Sequence, residues 1–304
     1  MGKPEAHPTR REINGTPATL PMMLKAVLPV VPGLSLVPGI KKSGSTLPQL
    51  TLTRHDVPID RAHVAAYSRV CGFGVKETLP ITYPHMLAFP MHLTLMTDAA
   101  FPFPAIGLVH VDNSITSHRA ISANETLQVT VLPRDLRAHA KGTAFDISTE
   151  VHSAGELVWE EISTFLRRGR PTEKAADSGR TFEGVASSGT EWRLGGDLGR
   201  RYAAVSGDHN PIHLYGLTAK AFGFPRQIAH GMWSEARCLA ALEGRLPDAT
   251  TVEVTFKKPI LLPGKVAFGS KAISSTSDRS RDYAFSLTDP KSGAPHLLGR
   301  TLTH

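Results

Sequence analysis

The sequence predicts an α+β protein made of two similar units in one chain, each a mostly antiparallel sheet wrapped around a buried helix. Three observations carry this expectation. Residues 167–190 (RRGRPTEKAADSGRTFEGVASSGT) are polar, charged and rich in Gly, Ser and Thr, and they read as a linker between two blocks of about 115 residues. The blocks run in step: Ala65–Ser68 (AAYS) stands 138 positions before Ala203–Ser206 (AAVS), and Arg119–Ile121 stands 139 before Lys258–Ile260. A near-constant offset across separated elements marks a duplicated unit. Finally, Gln227–Arg245 is apolar nearly all round, the pattern of a buried helix, and about four strand-like segments accompany it.

The elements follow in order. Residues 1–50 form a basic, Pro-rich arm. Its apolar stretch, Leu20–Ile40, is interrupted by Pro21, Pro29, Pro32 and Pro38 and contains Lys25. A spanning helix needs about 20 apolar residues with few breakers, so no membrane span is expected. Glu5 and Glu12, and the want of a small-residue cleavage site, argue against a signal peptide. The stretch reads as an arm packed on the protein surface. In the first unit (residues 51–166), Asp60–Val70 and Leu87–Ala100 have helical patterns, the second preceded by Tyr83-Pro84-His85-Met86. The segment Gly107–Ser114 (GLVHVDNS) follows, then alternating strand patterns at Thr126–Leu132, Ala144–Val151 and Leu157–Leu166. In the second unit (residues 191–304), helices are expected at Leu198–Asp208 and Gln227–Arg245, and strands at Lys265–Ile273, Asp282–Thr288 and His296–Leu302.

Composition limits the function classes. With 304 residues, 41% apolar and 20% charged, the chain is globular and long enough to bury a core. Two cysteines, Cys71 and Cys238, exclude a disulfide scaffold and a Cys-rich zinc module and fit a reducing cytoplasm. The net charge of +7 invites a nucleic-acid partner until it is located. Residues 1–50 carry +4 and residues 167–180 carry +3, whereas residues 51–166 carry −4 and residues 181–304 carry +4. The surplus is mostly arm and linker, and the arm has no interleaved aromatics, so no nucleic-acid partner is expected.

The stretch Tyr202–Trp233 (YAAVSGDHNPIHLYGLTAKAFGFPRQIAHGMW) carries the chemistry. Gly207 permits an unusual backbone angle, and Pro211 holds Asn210 extended, so a helix must end near Asp208. Asp208, Asn210 and His213 are thereby strung along a tight turn where their side chains can converge. A carboxylate and an imidazole held together form an acid–base pair. Asn210 can fix the turn or orient the pair through its amide. Two structural roles remain open on spacing alone: Asp208 and Asn210 can cap the helix near Leu214, and His213 can be a satisfied core histidine. His209 and His213 are four apart, but Asn210 stands where a zinc-protease helix has Glu, and no Cys is nearby, so no metal is expected. Further on, Ile228-Ala229-His230-Gly231 opens the long apolar helix, whose first amides lack intrahelical partners and face the positive dipole end. Gly231 lets a substrate oxygen approach that backbone, and such a donor can hold an oxyanion. A glycine that only serves helix packing fits equally well.

Taken together, Tyr202–Gly231 resembles the signature of the MaoC-like dehydratases and (R)-specific enoyl-CoA hydratases: an aromatic, small residues, Ser-Gly-Asp-x-Asn-Pro-Ile-His, and later Ala-His-Gly-Met. The resemblance implies a hot-dog fold. The wider chain resembles the double hot-dog (3R)-hydroxyacyl-thioester dehydratases of mycobacterial type, in which a degenerate first half pairs with a catalytic second half as an intrachain pseudo-dimer, with homodimerisation left open. At the offset of 138, Val70, Gly72 and the neighbourhood of Val75 stand opposite Asp208, Asn210 and His213, so the first half is expected to lack the acid–base pair and to serve as acyl tunnel. By the same resemblance, Asp208 and His213 manage a proton and a water, Asn210 holds their geometry and the Gly231 amide polarises the thioester carbonyl. Ser206, Gly207, His230 and Arg226 are the candidate substrate-binding residues, with Arg226 and Lys257–Lys258 facing the phosphates of coenzyme A or an acidic acyl carrier protein. The expected reaction is reversible dehydration of (3R)-hydroxyacyl thioesters or hydration of trans-2-enoyl thioesters, without a cofactor, in fatty-acid metabolism. The alternatives are a non-catalytic acyl-thioester-binding subunit and a hot-dog thioesterase.

Overall fold

The computed structural model describes residues 9–27, 44–169, 180–273 and 281–304. Much of the expected arm and linker lies outside these residues. Among the described residues, eleven strands form one sheet. They are β1 (Thr9–Glu12), β2 (Leu50–Pro58), β3 (Leu108–Ser117), β4 (Thr126–His139), β5 (Gly142–Ser153), β6 (Glu156–Arg168), β7 (Thr190–Leu194), β8 (Thr250–Phe256), β9 (Gly264–Ile273), β10 (Asp282–Thr288) and β11 (Pro295–Thr303). Their order is β1-β2-β4-β5-β6-β3-β8-β11-β10-β9-β7. Leaving out β1, that order reads the same from either end: β2-β4-β5-β6-β3 repeats as β7-β9-β10-β11-β8. The halves meet where β3 runs antiparallel to β8, with Asp112 opposite Thr255 and Ser117 opposite Thr250. This is the α+β double hot-dog that the resemblance implied.

Each half wraps a central helix, α3 (Pro84–Thr97) and α7 (Gly231–Leu242). The α3 segment is buried nearly all round, and it starts earlier than its apolar pattern because Pro84 is tolerated in a first helical turn. The apolar run from Gln227 also predicts more helix than forms. Leu262 N–H donates to the Gln227 carbonyl at 2.8 Å and Ala229 N–H to the Ile260 carbonyl at 2.9 Å, so 227–229 is extended and α7 begins at Gly231. After Leu242 the chain tightens into a 3-10 turn, Glu243–Arg245.

A shorter helix precedes each central one: α2 (Arg61–Cys71) and α4 (Leu198–Ser206). Asp60 caps α2 by accepting from the Ala62 and His63 amides, and both helices end on left-handed glycines, Gly72 (φ 88°) and Gly207 (φ 72°). Those two caps are 135 positions apart, not 138, because α2 is longer than α4. Phe73, Val75 and Thr78 therefore replace Val70, Gly72 and Val75 as the counterparts of Asp208, Asn210 and His213. The helices of the two halves pack on each other through Tyr67, whose ring lies 5.5 Å from Tyr83 and 6.3 Å from Tyr202. Trp233 Nε1–H donates across to the Val70 carbonyl at 3.1 Å. The principal core is continuous through both halves, from Leu52 and Phe145 to Trp233 and Phe285.

The described part of the arm is structured. Strand β1 pairs parallel to β2, and α1 (Thr19–Val27) packs on α3, where Met23 and Ala26 meet Phe89, Leu93 and Ile106. No helix among the described residues is long and apolar enough to cross a membrane.

Candidate active site

Gly207 breaks α4, and the next residues form the turn. The amide of Asp208 donates to Ser206 Oγ at 3.1 Å, and Asp208 Oδ1 accepts from the Asn210 amide at 3.1 Å. Asn210 then caps the short helix α5 (Pro211–Leu214), its Oδ1 accepting from Ile212 N–H at 3.4 Å, with Pro211 in the first turn, and α6 (Gly216–Ala221) follows. In this turn Asn210 thus takes the capping role that the spacing left open. The turn delivers His213 into the core, where Nδ1–H donates to the Ile228 carbonyl at 2.8 Å. That carbonyl is available because 227–229 is extended.

His213 stacks on His230 with ring centroids 3.7 Å apart. His230 caps α7 from an extended conformation; its Nε2 lies 3.1 Å from the Asp208 carbonyl and 3.7 Å from Asp208 Oδ2. The donor atoms of Asp208, His213 and His230 all lie within 4.8 Å of one another. Both imidazoles are buried, whereas the Asp208 side chain keeps 22% exposure. Burial pushes the His213 imidazole below its usual range, opposed by the Asp208 carboxylate and the Ile228 carbonyl. Burial and the neighbouring His213 push His230 further down. Both rings are accordingly neutral near pH 7. With the Nδ1 proton of His213 donated to a carbonyl, Nε2 is left as a base.

Gly231 is the first residue of α7, so its amide has no intrahelical acceptor. A Cβ there would come within 3.2–3.4 Å of the Phe256 ring, which explains the glycine by close approach. Asp208, Asn210, His213, His230, Gly231 and Ser206 all border one cavity of about 210 Å³. Gly207 does not; it turns the chain, and a Cβ on it would lie 3.0 Å from Thr19 of α1. Arg226 is exposed and is not among the cavity's lining residues. Lys257 and Lys258, exposed, and Arg168 at the end of β6 do line it and give it a cationic rim.

Sequence reasoning passed over several lining residues. Phe89, Leu93, Met96 and Phe165 come from the first half, and Met23 comes from the arm. Tyr202 also lines the cavity, its ring 4.9 Å from His230. Apolar residues on a buried helix look alike in sequence whether they face a cavity or solid core. Only Tyr202 had a signal, as the aromatic that opens the motif.

A MaoC-like domain matches residues 192–281. The 3-hydroxyacyl-thioester dehydratase X of Mycobacterium tuberculosis is 36% identical over 282 residues, covering 92% of this chain and 97% of the relative. A crystal structure of HtdX from the same organism superposes with a TM-score of 0.72 over 84% of this chain and 100% of that one, at 36% identity. A MaoC-like dehydratase from Phytophthora capsici, 19% identical, shares the fold with a TM-score of 0.62 over 84% of this chain and 95% of its own. The chain belongs to the MaoC-like dehydratase family.

Proposed function

We propose that this protein is a hydro-lyase that interconverts (3R)-3-hydroxyacyl and trans-2-enoyl thioesters, with the second half carrying the reaction. The observation that carries the reading is the meeting of Asp208, the unprotonated Nε2 of His213 and the free Gly231 amide on one cavity. In the dehydration direction the C2–H bond breaks toward the His213–Asp208 pair while the C3–O bond breaks. The proton rejoins the departing hydroxide as water, and the C2=C3 bond forms. The thioester oxygen, which gains charge as C2 loses its proton, takes the Gly231 amide. His230 holds the Asp208 backbone and backs the His213 ring, and Asn210 and Ser206 hold the turn. The cationic rim of Arg168, Lys257 and Lys258 suits the phosphates of coenzyme A or of an acyl carrier protein's prosthetic arm. Both cysteines are free and buried, which supports a reducing, cytoplasmic setting. The first half, as the acyl-tunnel partner, completes an intrachain pseudo-dimer.

The test is hydration of crotonyl-CoA, followed by loss of the enoyl absorbance. Asp208→Asn and His213→Ala are each expected to lower kcat/KM by roughly 10²–10⁴-fold. Wild-type rates in both variants, with folding intact, would remove the pair from the mechanism. Release of free thiol in place of hydration would make the protein a thioesterase, and neither reaction would make it a binding subunit. A carboxylate with two imidazoles is also a donor set for a divalent ion. Prolonged chelation is expected to leave the rate unchanged; loss that a divalent ion restores would make the cluster a metal centre.

A further inference from the structure

The first-half wall of the cavity is mostly apolar. Phe89, Leu93, Met96 and Phe165 line it, His85, in the first turn of α3, and His110 of β3 interrupt them, and Arg168 stands at the rim; His110 Nε2 is buried and has no hydrogen-bond partner. The His85 side chain is 5% exposed and that of Glu161, on β6, is 0% exposed. His85 Nδ1 lies 2.8 Å from both carboxylate oxygens of Glu161. Asn113 of β3 donates Nδ2–H to the same carboxylate at 2.6 Å and to Ser163 Oγ at 3.1 Å. The strand register fixes this support, with Asn113 opposite Ser163 and Ile115 opposite Glu161. The His85 imidazole nevertheless engages only one nitrogen. Nε2 makes no hydrogen bond within the described residues, although the ring borders the cavity.

Nothing in the proposed reaction uses this group. No hydrogen bond joins it to Asp208, His213 or His230. Tyr202 Oη lies 3.9 Å from Met86 Sδ, next to His85 in the chain, and the Tyr202 ring lies 4.9 Å from that of His230. A buried imidazole hydrogen-bonded to a carboxylate on an acyl wall is costly if a methylene chain covers it, because its second nitrogen then has neither water nor partner. An oxygen on the chain removes that cost. A hydroxyl fits whether Nε2 carries a proton or not, since it both donates and accepts.

We propose that His85, held by Glu161 and Asn113, is a subsite for a hydroxyl carried on the acyl chain beyond C3, so that the enzyme selects hydroxylated acyl thioesters over plain ones of equal length. The proposal rests on the reading of this cavity as the acyl site of a 3-hydroxyacyl-thioester dehydratase.

The experiment compares hydration of trans-2-decenoyl-CoA with a series bearing one hydroxyl at successive positions from C5 onward. One position is expected to raise kcat/KM by roughly 10-fold or more over the plain chain, the scale set by satisfying a buried polar group. In the double variant His85→Phe/Glu161→Leu, which removes the pair without stranding a charge, the preference is expected to vanish while the plain thioester still turns over. His85→Gln, which keeps a polar group near the carboxylate, is expected to keep part of the preference and guards against misfolding of the double variant. A wild-type enzyme that handles every hydroxylated chain no better than the plain one overturns the proposal. So does a preference that survives in the double variant. Turnover of the plain thioester tests the dehydratase reading separately. If no thioester turns over, calorimetric titration of the wild type with decanoyl-CoA and the hydroxydecanoyl-CoA series reads the subsite alone. Tighter binding of one hydroxylated ligand supports it, and equal affinities overturn it.

Discussion

His213 offers Nε2 as a base only because its Nδ1–H is held by the Ile228 carbonyl at 2.8 Å. The carbonyl fixes the tautomer, and burial keeps the ring neutral at pH values where a free imidazole begins to protonate. The consequence is a pH profile. In the proposed mechanism activity needs the unprotonated ring, and the folded ring titrates below the ordinary imidazole value of about 6.5. The acidic limb of kcat/KM is therefore expected below that value, measured as hydration rate against pH in a constant-ionic-strength buffer. A limb at or above it would mean that the Asp208 carboxylate outweighs burial. The residues of this turn were legible in sequence because their types and spacing are unusual. Gly207 must adopt a left-handed angle, Pro211 starts a helix, and Asn210 must cap it.

Among the elements, α1 was the least expected contributor. The sequence placed it in a surface arm broken by prolines. The structure forms a helix from Thr19, with Pro21 in its first turn, and sets it against α3 and the Gly207 turn. Met23 both fills the small cluster with Phe89, Leu93 and Ile106 and lines the cavity. Met23→Ala is expected to lengthen the acyl space, shifting the optimum of a chain-length series of enoyl-CoA substrates toward longer chains. The accompanying loss of stability is about 2 kcal/mol or less, the low end for truncating a buried Met, since α1 is packed on one side only. An unchanged optimum would put the end of the acyl chain elsewhere. The extended strip 227–229 makes a related point. Its residues have a helical pattern, yet pairing with 260–262 overrides it, and that pairing exposes the carbonyl His213 needs.

Across the whole molecule, both halves share one sheet and one core, and several titratable groups are sealed inside it. Glu235 of α7 is fully buried, and neither carboxylate oxygen has a hydrogen-bond partner. Burial, with Glu161 nearby, pushes its pKa well up, which favours the protonated form in the folded state. Unfolded, it ionises above about 4.3. The unfolded state therefore loses a proton that the folded state keeps, and stability falls as pH rises from that value toward the raised folded pKa. Glu235→Gln removes this term. Its melting temperature relative to wild type is expected to increase as the pH is raised above about 5, as read by calorimetry. A difference independent of pH would show that Glu235 is ionised or solvated in the folded protein. His92 and His110 act in the opposite sense. Burial lowers them to about 3 and about 4, so stability is lost as pH falls below the ordinary imidazole value.

The sequence by itself determined the duplicated α+β architecture and the turn from Ser206 to His213. Strand alternation, the all-apolar helix and the glycine–proline–asparagine chemistry of that turn are local properties, written in neighbouring residues. Element ends were less legible: the offset drawn from Ala65 and Ala203 misplaced the first-half counterparts, because the two leading helices differ in length. Tertiary structure alone decided what meets across the halves. The cavity wall, the buried His85–Glu161 pair, the reach of α1 and the absence of Arg226 from the lining all depend on contacts between residues far apart in the chain. A polar residue on a strand gives one period-two signal whether it points to water or to a partner. Glu161 and Glu160 are adjacent acids on β6, and only packing decides that Glu161 turns inward to a histidine 76 positions earlier in the chain.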